Sequence, residues 1–130
     1  MNLLYTDETN LDPKTADLFV YAGVVIPGET AGALSAALDG LRKIHGYKPG
    51  DLLKFSTHER PTHVSHQTCT QMKQQVIAEA ARHGVRLLAS VISHNIATSP
   101  DDARRKEINR ITLHFDYYLR GQNDHGLVLV

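Results

Sequence analysis

One cysteine, Cys69, is all the chain holds, so no intrachain disulfide can staple it. That usage fits a reducing compartment. Cys69 reads either as a nucleophile or as an ordinary thiol on a helix, and the second reading is favoured. Net charge is lacking too, because fourteen basic and fourteen acidic residues cancel. A global electrostatic footprint for nucleic acid, membrane or acidic partners is thereby excluded, and any nucleic-acid contact must rest on a local patch. No uncharged run is long and apolar enough to span a bilayer. Asp7 and Glu8 interrupt the start before the apolar region of a signal peptide can form. The expectation is a cytoplasmic protein with no membrane partner. Gly-rich phosphate loops, a Gly-x-Ser-x-Gly elbow, cysteine-based zinc motifs, internal repeats and low-complexity segments are all missing.

What is present is a chain of 130 residues, read as one domain over 1–130 and long enough to bury a core without staples. Eight histidines make its charge sensitive to mild acid. The organising stretch is Leu3-Leu4-Tyr5-Thr6-Asp7-Glu8, an apolar strand ending in two carboxylates. Strand side chains alternate, so Leu3, Tyr5 and Asp7 share one face and Leu4, Thr6 and Glu8 the other. Only one carboxylate can face a given cleft while the strand stays regular. Asp7 is the candidate, with Glu8 on the opposite side or re-aimed by the turn that follows.

A polar loop, Thr9 to Asp17, leads to a second strand over Leu18–Pro27, antiparallel to the first. Both of its alternating sets are apolar, which predicts a strand inside the sheet and covered on each side. Helical spacing then runs from Thr30 to His45 through Leu34, Ala37, Leu38, Leu41 and Ile44. Leu52 to Phe55 reads as a marginal third strand. A helix capped near Ser65 follows, with Met72, Val76, Ile77 and Ala80 apolar and a stop at His83-Gly84. Val85 to Ser93 is another strand. Ser99 as cap, Pro100 at the first helical position and Asp101 and Asp102 in the first turn open the last helix. Its inward stripe is Ile108, Ile111, Thr112, Phe115, Tyr118 and Leu119, and Gly121 is expected to end it. Gly126 to Val130 is a final strand with no turn or polar tail after it, so the chain is expected to be incomplete at its C-terminal end.

This order predicts an α/β fold: a mixed sheet flanked by helices, antiparallel at first and built from βαβ units later. If the first strand runs parallel to Val85–Ser93 and to the last strand, their C-terminal ends share one edge, where open α/β sheets place ligands. That edge would gather Asp7, His94 and Asn95.

Tyr5-Thr6-Asp7-Glu8-Thr9, followed by Phe19-Val20-Tyr21-Ala22-Gly23-Val24-Val25-Ile26-Pro27, resembles the opening of the domain of unknown function 3800 family. The resemblance implies a ribonuclease H-like fold and a carboxylate site. In ribonuclease H-like enzymes a carboxylate cluster holds divalent ions that activate water for phosphodiester cleavage. Asp7 matches the first acidic position and Glu8 its neighbour. Two departures are plain. Leu52 stands where the family commonly has Glu before Leu53-Lys54-Phe55, and the chain stops short of the Asp that commonly follows the last strand.

Each candidate has two readings. Asp7 and Glu8 are the proposed catalytic residues and, with His94, the proposed ligands of Mg²⁺ or Mn²⁺. Alternatively the two carboxylates end a strand and accept turn hydrogen bonds, and His94 is an ordinary hydrogen-bonded or solvent-facing histidine. Lys54 reads as a phosphate contact or a solvated lysine, and the solvated reading is favoured. His58, Glu59, His63 and His66 place four potential zinc ligands within nine residues, but at no standard zinc spacing. Arg104, Arg105, Lys106 and Arg110 form either a phosphate-contacting run or, as favoured, a solvated helix face paired with Asp101 and Asp102. The first function expected is a divalent-metal-dependent nuclease or phosphodiesterase acting on nucleic acid. The alternative is a non-catalytic interaction module on the same scaffold, self-associating as a homo-oligomer through its C-terminal strand. A third class is a small histidine-based metal binder.

Overall fold

A computed structural model describes residues 1–54 and 56–130. The chain divides into two compact units, one made of Met1–Gly28 with Val85–Val130 and the other of Glu29–Gly84.

The first unit holds a mixed sheet. Its strands are β1 (Asn2–Thr9), β2 (Leu18–Pro27), β3 (Arg86–Ser93) and β4 (Gly126–Leu129), in the spatial order β3-β2-β1-β4. β2 pairs antiparallel with both β1 and β3, and β4 joins β1 in parallel. β1, β3 and β4 therefore all run the same way, which meets the condition for their C-terminal ends to share one edge. A helix, Pro100–Gln122, returns the chain from β3 towards β4 and packs on one face of the sheet.

Register explains the core. Leu4, Phe19, Tyr21 and Val25 alternate onto the face that meets Ala103, Ile111 and Phe115 of that helix, and all seven are buried together. Fully burying a Leu, Val, Ile or Phe side chain contributes roughly 1.5–3 kcal/mol. The tyrosine hydroxyl buried with them is satisfied, since Tyr21 Oη donates to Thr6 Oγ1 at 2.8 Å. β2 lies inside the sheet as expected, but within this unit only one of its faces is covered. On the other side Leu18, Val24, Leu87 and Val91 are exposed. An all-apolar strand announces that both faces are suited to burial, and it does not supply the second layer.

The helix opens as its sequence predicts: Ser99 accepts from the Asp102 N–H and Pro100 sits in the first turn. Its end is corrected. The helix runs past Gly121 to Gln122, and Asn123 takes the left-handed conformation with φ 51°. Asparagine tolerates that region well enough to serve as the stop. Thr112 is also corrected, because it is exposed and bonds back to the Ile108 carbonyl, while Ala103 and Glu107 face inward instead.

The second unit contains two helices, Gly28–Ile44 and His66–Arg82, and a 3-10 turn over Thr57–Glu59. We number the helices α1, α2 and, for Pro100–Gln122, α3. Ser65 caps α2 by accepting from the Thr68 N–H. Gly84 follows at φ 75°, the stop expected of it. Tyr47, Val64, Cys69 and Met72 form the core, with Leu41, Leu53 and Val76 against it. Thr30 Oγ1 donates to the His83 carbonyl at 2.9 Å, and His45 Nε2 meets Gln75 Oε1 at 2.7 Å, so both ends of α1 are tied to α2 or the residue that follows it. Ile44 and Ile77, assigned to apolar stripes, are exposed. The expected strand at Leu52–Phe55 is not formed over residues 52–54, and Phe55 lies outside the described residues. A tight turn precedes it: Asp51 accepts from the Lys48 N–H, and Gly50 adopts φ 88°. That turn leaves Leu53 in the core and Leu52 in solvent.

Candidate functional site

The carboxylates at the end of β1 part company. Asp7 is exposed on the open face, where its Oδ1 accepts the Glu8 N–H at 2.9 Å. It stands at a cavity of about 270 Å³ lined by Tyr5, Thr6, Asp7, Ala22, Gly23, Val24 and Leu87. Asp7 is the only charged group among them. Glu8 points to the α3 side, where Arg104 Nη1 lies 3.6 Å from its Oε1. Alternation therefore separates the pair as predicted, and the following turn does not re-aim Glu8.

The strand tips form a second, polar cavity of about 390 Å³, lined by Pro13, Asp17, Ser93, His94 and Asn95. His94 and Asn95 meet there as expected, whereas Asp7 lines the other cavity. His94 opens a short 3-10 turn, His94–Ile96. Its Nε2 lies 2.7 Å from the Asn10 carbonyl, and its ring is 6.1 Å from that of Phe19. Asp17 escaped the sequence reading because its place opposite His94 depends on the β2–β3 register.

Glu107 was missed as well. It is 1% exposed, accepts a hydrogen bond from the Ser90 hydroxyl, and has Arg110 Nη1 3.5 Å from its other oxygen. The signal was present: Ala103, Glu107, Ile111 and Phe115 recur every four residues, so the charge sits on the inward stripe. Glu8, Tyr21 and Ser90 are register partners across β1, β2 and β3, and α3 sets Arg104 near Glu8 and Glu107 against Ser90. This is a polar row inside a largely apolar interface.

The divalent site implied by the family resemblance does not fit these positions. Asp7 and Glu8 project from opposite faces, and His94 belongs to a different cavity from Asp7. Among the described residues no three His, Cys, Asp or Glu side chains are grouped to hold a metal ion. The histidine-rich segment is dispersed similarly, with His63 Nε2 engaging Asp51 at 3.0 Å.

Cys69 is fully buried, which removes it as an accessible nucleophile. Burial, reinforced by a hydrogen bond with Cys69, pushes the Tyr47 hydroxyl above its ordinary pKa. Beside it, Asp39, Arg42, Lys43, Tyr47, Lys48 and Pro49 line a cavity of about 250 Å³. Arg42 is committed there, donating to the Asp51 carbonyl at 2.6 Å, and the cations suit the C-terminal end of α1.

The basic run on α3 is paired in its own first turns. Arg104 bonds Asp101, and Arg105 and Lys106 both bond Asp102. The Lys106–Asp102 pair spans four residues, while Arg104 and Arg105 each reach a carboxylate three residues back. Among the described residues no helix is long and apolar enough to cross a membrane.

Fold and side chains together define a mixed α/β protein whose four-stranded sheet is flanked by helix on the described face. No family model, curated protein or solved structure matches the chain.

Proposed function

We propose that this chain is a ribonuclease H-like domain working as a non-catalytic interaction module, in a cytoplasmic setting, that self-associates through β4. The mixed sheet, antiparallel over β1, β2 and β3 and parallel where β4 joins β1, supports the ribonuclease H-like reading. One observation carries the non-catalytic reading: Asp7 and Glu8 lie on opposite faces, with Glu8 engaged by Arg104. Hard divalent ions need several converging oxygen ligands, and one carboxylate is a poor site. The interaction surface is the outer edge of β4, which ends the strand order and carries exposed Leu127, Val128 and Leu129. An edge strand offers unpaired N–H and C=O groups to an incoming strand.

The second reading is a Mg²⁺- or Mn²⁺-dependent phosphodiesterase acting on nucleic acid. The shared direction of β1, β3 and β4, with a polar cavity at the tip of β3, favours it. Calorimetric titration of Mn²⁺ into the wild type and Asp7→Asn, with cleavage assays on single- and double-stranded DNA and RNA, separates the two. The module predicts equal titrations and no cleavage. Cleavage abolished by Asp7→Asn establishes the phosphodiesterase and overturns the module. Sedimentation velocity tests the edge: association in the wild type is expected to disappear in Leu127→Lys/Leu129→Lys. A wild type that stays monomeric at high concentration overturns self-association.

A further inference from the structure

From the polar cavity at the strand tips we infer a zinc-type divalent cation site formed by His94 and Asp17, with Asn95 beside them. It is separate from Asp7 and does not depend on the function proposed above.

The first step is backbone geometry. Leu18 pairs with Ser93 at the end of the β2–β3 ladder, and the His94 N–H continues it by donating to the Asp17 carbonyl at 3.0 Å. Directly opposed residues of an antiparallel pair hold their Cβ atoms about 4.5–5.5 Å apart. One ion with bonds of about 2.0–2.2 Å to nitrogen and oxygen can bridge such a pair. Both residues line the same cavity.

The second step is the imidazole tautomer. Nε2 lies 2.7 Å from the Asn10 carbonyl oxygen, which accepts and cannot donate, so Nε2 carries the proton. Nδ1 of the neutral ring is then a lone pair with no hydrogen-bond partner among the described residues. A backbone carbonyl holding one ring nitrogen while the other is left basic is the outer-shell arrangement that orients metal-binding histidines. Asn10 itself is held at φ 60°, and the Phe19 ring packs near the imidazole.

The third step is the donor set. The Asp17 carboxylate has no hydrogen bond or ion pair among the described residues. Imidazole with carboxylate selects zinc-type ions over Mg²⁺, which prefers oxygen alone. The Asn95 amide oxygen and water would complete the coordination. Two ionisable ligands plus an amide also explain why no group of three His, Cys, Asp or Glu marks the place.

The test is Zn²⁺ titration followed by histidine-selective NMR and calorimetry on the full chain. Before zinc, the His94 long-range ¹H–¹⁵N pattern is expected to show the proton on Nε2. Zinc is expected to shift Nδ1, while Mg²⁺ at the same concentration leaves it unmoved. Asp17→Asn, which retains the backbone carbonyl that anchors His94, is expected to weaken this response at least tenfold. His94→Ala is expected to remove the corresponding calorimetric step, and His63→Ala to leave it intact. The inference is overturned if the proton resides on Nδ1, if zinc leaves the His94 resonances unchanged, or if Asp17→Asn binds as the wild type does.

Discussion

Removing the Glu107 carboxylate tests the polar row beneath α3. In Glu107→Ala the Ser90 hydroxyl, itself 8% exposed, loses its acceptor in a buried place. An orphaned buried polar group costs about 1–3 kcal/mol, and the missing side-chain volume adds a cavity term of similar sign. We expect a total near 3 kcal/mol. Ser90→Ala acts from the other side, leaving a buried carboxylate with Arg110 alone, and is expected to cost about 2–3 kcal/mol. Glu107→Gln keeps shape and an acceptor oxygen and should cost about 1 kcal/mol. If the pair works as a unit, the apolar double variant Ser90→Ala/Glu107→Leu will be more stable than either Ser90→Ala or Glu107→Ala, because no polar group is left stranded. Urea unfolding followed by circular dichroism reads these differences. With slopes of about 1–3 kcal/mol/M, a 3 kcal/mol loss moves the midpoint by roughly 1–3 M. Single variants within about 0.5 kcal/mol of wild type, or strictly additive effects, would refute the reasoning.

The close approach of β4 gives a second prediction. A Cβ at Gly126 would lie 2.5 Å from Phe115 Cζ and 2.7 Å from the Asn2 carbonyl oxygen, so Gly126→Ala should destabilise by about 1–3 kcal/mol, measured by thermal unfolding. A third concerns acid. The Lys106 ammonium, with the Thr98 hydroxyl, holds the Asp102 carboxyl well below the usual carboxylate range. A folded pKa below the unfolded value of about 3.9 contributes stability that is complete above that value and lost as pH falls through it towards the depressed folded value. Asp102→Asn should therefore be less stable than wild type at pH 7, with the difference shrinking as the solution is acidified below about pH 4.

Local chemistry made much of this fold legible. The bounds of β2 and the capped start of α3 follow from residues within a few positions of each other, where turn, cap and alternation rules act. The separation of Asp7 from Glu8 was equally local, since it needs only the pleat. What escaped depends on partners distant in sequence. Asp17 becomes interesting only once Leu18 is known to pair with Ser93, and Glu107 only once Ser90 is known to face α3. Leu52–Lys54 misled because three residues carry too little periodicity to outweigh the preceding Lys48–Asp51 turn. Ile44 and Ile77 misled because apolar character does not by itself dictate burial.

The pairing of β1 with β4 makes biosynthesis a waiting problem. Asn2 bonds Asp124 across 122 residues of chain, and its N–H reaches the His125 carbonyl. A ribosome makes the β1–β2 hairpin before α1, α2, β3 and α3, so one flank of β1 must stay unpaired until β4 follows them. Such long-range closure is slow and leaves a sticky ribbon in the meantime. Nascent chains stalled before residue 126 should therefore recruit chaperones that chains carrying β4 no longer need.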